Sequence, residues 1–355
     1  MGTQRGTGEH VAAVLAGASC IAASAVLVRL SEASAGAAAT LRCALALPLL
    51  GLALLLERRT GAGRLTRRAR WYARAAGVAF GADLVAWSHC IENLGAGLAT
   101  VLGNLQVLFV AVAAWSVLGE RPSRRLLAAM PVMLTGVVLV GGLGGGGYGN
   151  DPLLGVVYGL VTSLCYAVYL LVLRAGMRPA EGGAGARPGV VAPLFEATLG
   201  GAVTAAVLAL LLGDFALGPS PAASLGWLAL LATSSQVVGW LLISRSLPVL
   251  PAALTSTLLL VQPAGAVALG ALVFDERPSA AQLLGVLLLL AGVLVAARRA
   301  ETAPPSTIRP PAGAPPRPAP GHRPGAPPAR RRRAASDPAP QATPRTPAVP
   351  KGEHP

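Results

Sequence analysis

The sequence predicts an all-α integral membrane protein with ten transmembrane helices, arranged as two inverted five-helix repeats. Three observations predict it. Of 355 residues, 54% are hydrophobic and only 12% charged, with a mean hydropathy of +0.61, whereas a typical soluble domain is roughly 25% charged. The apolar residues fall in runs of about 20, the length that crosses a bilayer core as a helix. The stretch Leu98 to Ser123 also recurs without a gap as Leu254 to Ser279, placing Gln106 on Gln262 and Glu120-Arg121-Pro122-Ser123 on Glu276-Arg277-Pro278-Ser279. The register continues with Leu134-Thr-Gly136-Val137 on Leu290-Ala-Gly292-Val293. Such a repeat far exceeds a solenoid period and reads as two halves of one membrane protein.

In chain order, the apolar runs place spans at 11–28, 36–56, 75–93, 97–118 and 126–143 in the first half. In the second half they lie at 153–173, 191–212, 224–243, 250–274 and 281–297. Small residues crowd all of them, which suits helix packing in lipid, where apolar side chains gain little from meeting one another. The domains expected are 1–143 and 153–299 for the two repeats and 300–355 for a Pro- and Arg-rich tail. The tail lacks apolar periodicity and carries Arg330 to Arg333 in a row. Such a composition cannot offset its ordering entropy, so a disordered cytoplasmic tail is expected.

The loops decide the orientation. With the N-terminus inside, sixteen of eighteen loop-associated arginines before the tail lie on the cytoplasmic side, leaving only Arg29 and Arg277 outside. The loops Gly141–Pro152 and Gly213–Ala223 contain no Lys or Arg. The positive-inside rule therefore predicts a multi-pass protein of the cell membrane with both termini cytoplasmic. Five spans per half is an odd number, so the second half enters upside down, and the corner at 120–123 is cytoplasmic while its twin at 276–279 is external. The net charge of +14 follows from this loop pattern and the tail, and nucleic acid is not an expected partner. No cleavable signal is expected at the short polar N-terminus. Cys20, Cys43, Cys90 and Cys165 lie in apolar stretches without metal-ligand spacing and read as small buried hydrophobes.

With its ten spans, two halves, and a fourth and ninth span each ending in Gly119/Asp275-Glu-Arg-Pro, the chain resembles the EamA-like branch of the drug/metabolite transporter superfamily. Arg29 closing span 1 and Arg42 early in span 2 add to the resemblance, which covers residues 11–297. It implies a transporter, not an enzyme, that exports small metabolites such as amino acids. The family tends to carry proline in the middle of both repeated helices. Here Gln262-Pro263 has it and Gln106-Val107 does not, so the resemblance leaves a kink in span 4 open.

Polar groups at membrane depth are costly unless paired or wetted, which makes them the site candidates. Span 3 carries Asp83 and Trp87 on one helical face. A carboxylate beside an indole would take a substrate amine or a proton; the alternative is a structural partner for Arg42. Gln106 and Gln262 sit at equivalent mid-depth positions, where a pseudo-twofold axis would bring them together; the alternative is an interhelical hydrogen bond. Asn104 faces nearly opposite Gln106, and Gln236 and Trp240 occupy span 8. The substrate-binding set is thus Asp83, Trp87, Asn104, Gln106, Gln236, Trp240 and Gln262.

Proton coupling would fall to Asp83, His89 or Glu196. His89, with Glu92, reads first as polarity at the outer interface, though its imidazole would answer pH at an external mouth. Tyr166 and Tyr169 read as packing or interface residues. Glu120 and Glu276 are expected to steady their corners at the surface, paired with Arg121 or Arg277. No Walker loop, metal-ligand cluster or nucleophile–base pair is visible, so neither metal nor cofactor is expected. The partners expected are a small-molecule substrate and the lipid bilayer, with a homodimer of the chain also considered. The competing readings are an integral-membrane enzyme and a non-transporting structural membrane protein.

Overall fold

Ser34, Thr66 and Asp151 start three of the long helices by accepting the backbone N–H groups of Ala37, Ala69 and Leu154, at 3.4, 3.1 and 3.0 Å. Each satisfies a donor that a helix start leaves free. The computed structural model describes residues 2–60, 63–118, 124–142, 148–177, 189–246, 249–250 and 252–297. The corner at 119–123 and the tail from 298 onward lie outside them.

Among the described residues every regular element is helical. The first half contains α1 (Gly2–Ala22), α2 (Ser24–Leu30), α3 (Ala35–Arg59), α4 (Arg67–Leu94), α5 (Ala96–Gly103), α6 (Gln106–Leu118) and α7 (Arg124–Val140). The second contains α8 (Pro152–Gly176), α9 (Val191–Leu211), α10 (Pro221–Leu231), a π-helical segment (Ala232–Gly239), α11 (Trp240–Ser246), α12 (Ala252–Leu259), α13 (Val261–Phe274) and α14 (Ala280–Ala297). Among the described residues, seven helical stretches are long and apolar enough to cross a membrane: Gly8–Leu30, Ala35–Arg59, Ala96–Ala113, Pro152–Gly176, Val191–Leu211, Pro221–Ser246 and Thr257–Phe274. The remaining three expected spans fall on α4, which carries charge at both ends, and on α7 and α14, whose apolar stretches Leu127–Val140 and Ala280–Val295 are shorter.

The sequence repeat has a counterpart in the packing. α4 lies along α8 and α9, while the α10–α11 rod lies along α1 and α3. α6 meets α8, and α13 meets α1. The pairs α3 with α9 and α7 with α14 join equivalent elements, and α5 with α13 joins the equivalent spans 4 and 9. Exchanging the halves therefore carries the contacts of α4 onto those of the α10–α11 rod and that of α6 with α8 onto that of α13 with α1, and returns α3 with α9 and α7 with α14 onto themselves. Close approach depends on small residues: a Cβ on Gly81 of α4 would fall 2.5 Å from the carbonyl oxygen of Gly201 on α9, and one on Gly136 of α7 would fall 2.8 Å from that of Gly285 on α14. In lipid this proximity is what gives helices their van der Waals contact. The largest buried apolar cluster includes Leu94, Leu98, Leu102, Met133 and Leu289. Leu210, Leu211 and Leu272 are more than two-thirds exposed, a surface matched to hydrocarbon and not to water.

Gly95 joins α4 to α5 at φ +88°, a conformation that favours glycine. It turns the chain so that the start of α5 points at the second half.

Candidate functional site

Both repeated helices break at the same register. α5 ends at Gly103 and α6 begins at Gln106; α12 ends at Leu259 and α13 begins at Val261. In the second half the break follows from Pro263, which has no N–H and so leaves the Leu259 carbonyl without its helical donor. The first half reaches the same geometry without proline. There the N–H groups of Asn104 and Leu105 turn to the carbonyls of Val101 and Leu102, at 3.1 and 2.9 Å. The Asn104 side-chain amide takes the Thr100 carbonyl at 2.9 Å, and the Ser163 hydroxyl donates to the Leu102 carbonyl at 2.7 Å. The Asn104 amide thus satisfies a carbonyl that the break deprives of its helical donor, and Ser163 adds a second donor to the Leu102 carbonyl in an apolar interior. The kink that the missing proline left open in span 4 is present.

The two breaks face a cavity of about 410 Å3. Of the seven predicted binding residues, Asp83, Trp87, Asn104, Gln106, Trp240 and Gln262 line it. Gln236 does not: it is fully buried behind Arg42, donating to the Thr198 hydroxyl at 3.4 Å and accepting from Arg42 Nη2 at 3.3 Å. The π-helical segment presents it there, and such segments recur at functional sites. Gln236 is therefore a positioning residue for Arg42.

Arg42 is the residue that the binding set omitted. Its guanidinium is buried on the cavity wall, 5.5 Å from the centre of the Trp87 ring. The pairing considered between Arg42 and Asp83 is not formed as a direct ion pair. Arg42 turns instead to Gln236 and Trp87, and among the described residues no cation lies within ion-pair distance of the Asp83 carboxylate. Asp83 is buried, and its backbone carbonyl accepts from Thr162 at 3.1 Å. Arg42 Nε and Gln106 Oε1 have no protein partner among the described residues. Tyr166, read from sequence as packing, lines the cavity as well, while Tyr169 is buried against Phe80 with ring centres 5.1 Å apart. An arginine early in an apolar span was the one signal that marked Arg42, because a buried cation at that depth needs a partner or a ligand.

The proton-coupling candidates separate in space. Asp83 faces the cavity. His89 lies near the far end of α4, stacked on Tyr158 at 4.9 Å between ring centres, with Nδ1 3.0 Å from Glu92 and Nε2 3.4 Å from Asp214. Glu196 is ion-paired with Arg74 at 2.7 Å and belongs to a different pocket.

Glu276 departs from the expectation of a surface corner paired with Arg277. Its carboxylate is buried, forms an ion pair with Arg29, and accepts the N–H groups of Ala96 at 2.7 Å and Gly97 at 3.2 Å. The free N–H groups and positive end of α5 draw the anion inward, away from solvent. Arg277 pairs instead with its neighbour Asp275 at 2.9 Å. The twin corner with Glu120 lies outside the described residues.

Chemically, the cavity offers one guanidinium, one carboxylate, two amides from equivalent positions and the indoles of Trp87 and Trp240. A small solute bearing opposite charges and an apolar part would find a partner for each.

The profile of the EamA-like transporter family matches residues 10–142 and again residues 153–298. No curated protein matches the chain. Among solved structures, one described only as a crystal structure of a protein aligns over 82% of this chain and 99% of its own, with a TM-score of 0.50 and 20% identity. That similarity speaks to the fold alone.

Proposed function

The chain belongs to the EamA-like transporter family, and from that premise we propose that it exports small metabolites of the amino-acid kind by alternating access. At the coarser level it is a membrane transporter of the drug/metabolite type. The two halves, inverted with respect to one another in a ten-span arrangement with both termini cytoplasmic, would rock about the breaks at Asn104 and Leu260. Broken helices flanking a midplane site are a recurring device of such carriers.

The observation that carries the reading is the single cavity in which Arg42 and Asp83 stand without a mutual ion pair, next to Gln106 and Gln262 from equivalent positions. A buried arginine with an unsatisfied Nε is well suited to a carboxylate, which a guanidinium binds in bidentate fashion. Asp83 is suited to an ammonium group, and in its absence to a proton, so that a proton entering from outside would exchange with an outgoing substrate. Trp87 and Trp240 would take the apolar part.

Proteoliposomes test it. Vesicles preloaded with a mixture of unlabelled amino acids should take up labelled amino acids by counterflow, and Arg42→Gln should abolish the uptake. Absence of counterflow with every zwitterion tried would reject the substrate class, and chemical conversion without flux would favour an enzyme.

A further inference from the structure

A second pocket, of about 350 Å3, lies where the end of α3, the connection to α4 and the start of α9 meet, away from the central cavity. Glu57, Arg58, Arg64, Arg70 and Glu196 supply its charged lining. The two carboxylates are already engaged. Both oxygens of Glu57 accept the Val191 N–H at the start of α9, at 3.2 and 3.3 Å, and Glu196 is held by Arg74. The guanidinium groups of Arg58, Arg64 and Arg70 have no ion pair or hydrogen bond among the described residues. The pocket therefore presents three free forks to whatever enters it, and its volume is that of a small-ligand site.

Its surroundings belong to the bilayer edge. Leu52, Leu55 and Leu56 on the neighbouring face of α3 are each more than half exposed, and Trp71, adjacent to Arg70, is 61% exposed. Tryptophan favours the headgroup level, and exposed leucines favour the acyl chains beneath it. The positive-inside rule places this end at the cytoplasmic leaflet, whose anionic lipids attract clustered arginines.

We propose that Arg58, Arg64 and Arg70 bind a phosphate oxyanion, supplied by the headgroup of an anionic phospholipid whose chains lie along Leu52, Leu55 and Leu56. Guanidinium forks fit phosphate oxygens bidentately. The site ties the end of α3 to the start of α4, beside the apolar cluster of Leu54, Leu65 and Ala69.

Native mass spectrometry of the full-length chain tests the proposal without reference to transport. The probes are phosphatidylglycerol, phosphatidylcholine and inorganic phosphate. The combined variant Arg58→Gln/Arg64→Gln/Arg70→Gln is compared with Arg124→Gln/Arg174→Gln/Arg245→Gln, which removes equal charge elsewhere on the same side. Phosphatidylglycerol retention should fall about a hundredfold in the first variant, the effect of three near-surface cations, and much less in the second. Phosphatidylcholine should be retained weakly by all forms. Arg58→Lys/Arg64→Lys/Arg70→Lys, which keeps charge but loses the fork, should give an intermediate loss and decides the matter should the glutamine variant not fold. If inorganic phosphate binds in an arginine-dependent way and displaces the lipid, the oxyanion site stands but its source is soluble. Equal phosphatidylglycerol retention in both glutamine variants, or no preference over phosphatidylcholine, would overturn the proposal.

Discussion

Glu276 and Ala96, 180 residues apart in sequence, are joined by a 2.7 Å hydrogen bond that fastens the second half of the molecule onto the first helix turn after Gly95. The same carboxylate pairs with Arg29. One residue thus ties together the end of span 1, the start of span 4 and the end of span 9. In the alternating-access cycle proposed above, opening that side would take the carboxylate from these partners.

Glu276→Ala removes one member of this buried set and leaves the N–H groups of Ala96 and Gly97 and the Arg29 guanidinium unpaired. The cost expected is about 3 kcal/mol, and Glu276→Gln, which keeps an acceptor, should cost less. Thermal unfolding in detergent measures both. An unchanged midpoint for Glu276→Ala would show that the contact contributes nothing to stability.

The break in span 4 has two side chains donating to its carbonyls, Asn104 to Thr100 and Ser163 to Leu102. Asn104→Ala and Ser163→Ala should each destabilise by about 1 kcal/mol. Because they satisfy the same turn, the double variant should deviate from the sum of the singles. A strictly additive double variant would argue that the turn is held by backbone geometry alone.

Gln106 and Gln262 line one cavity from equivalent positions. Each change to Leu should weaken transport by about tenfold, the loss of one hydrogen bond to a charged ligand, and the pair should be non-additive because neighbours couple. Substrate dependence of counterflow in the two single variants and the double variant is the measurement. Independent losses that simply multiply would mean that the two amides do not share a solute.

Asp83→Asn keeps size and removes charge. If Asp83 carries the proton, the variant should fold and exchange substrate for substrate, yet lose accumulation driven by a pH gradient. Gradient-driven transport that survives the change would remove Asp83 from the coupling step.

Where sequence reasoning stopped short, the cause was direction around a helix. In a soluble helix the polar face reveals which side is inward; in a bilayer both faces are apolar and that signal fades. Span 8 offered Gln236 and Trp240 as equals, four residues apart. The structure puts Trp240 on the cavity and Gln236 behind Arg42, on a segment whose π turn no residue type announced. Tyr166 and Tyr169 were likewise indistinguishable until packing turned one toward the cavity.

By itself the sequence determined the helical membrane class, the doubling of the chain and the register that equates Gln106 with Gln262. These follow from run length, hydropathy and spacing, which are properties of the chain read along its length. Only the tertiary structure decided that Arg42 turns to Gln236 and not to Asp83, that Glu276 points inward to the start of α5, and that span 4 breaks without a proline. Each of those outcomes is a choice among several polar partners. In a low-dielectric interior that choice goes to whichever arrangement leaves the fewest donors and acceptors unsatisfied, which only the packed neighbours can specify.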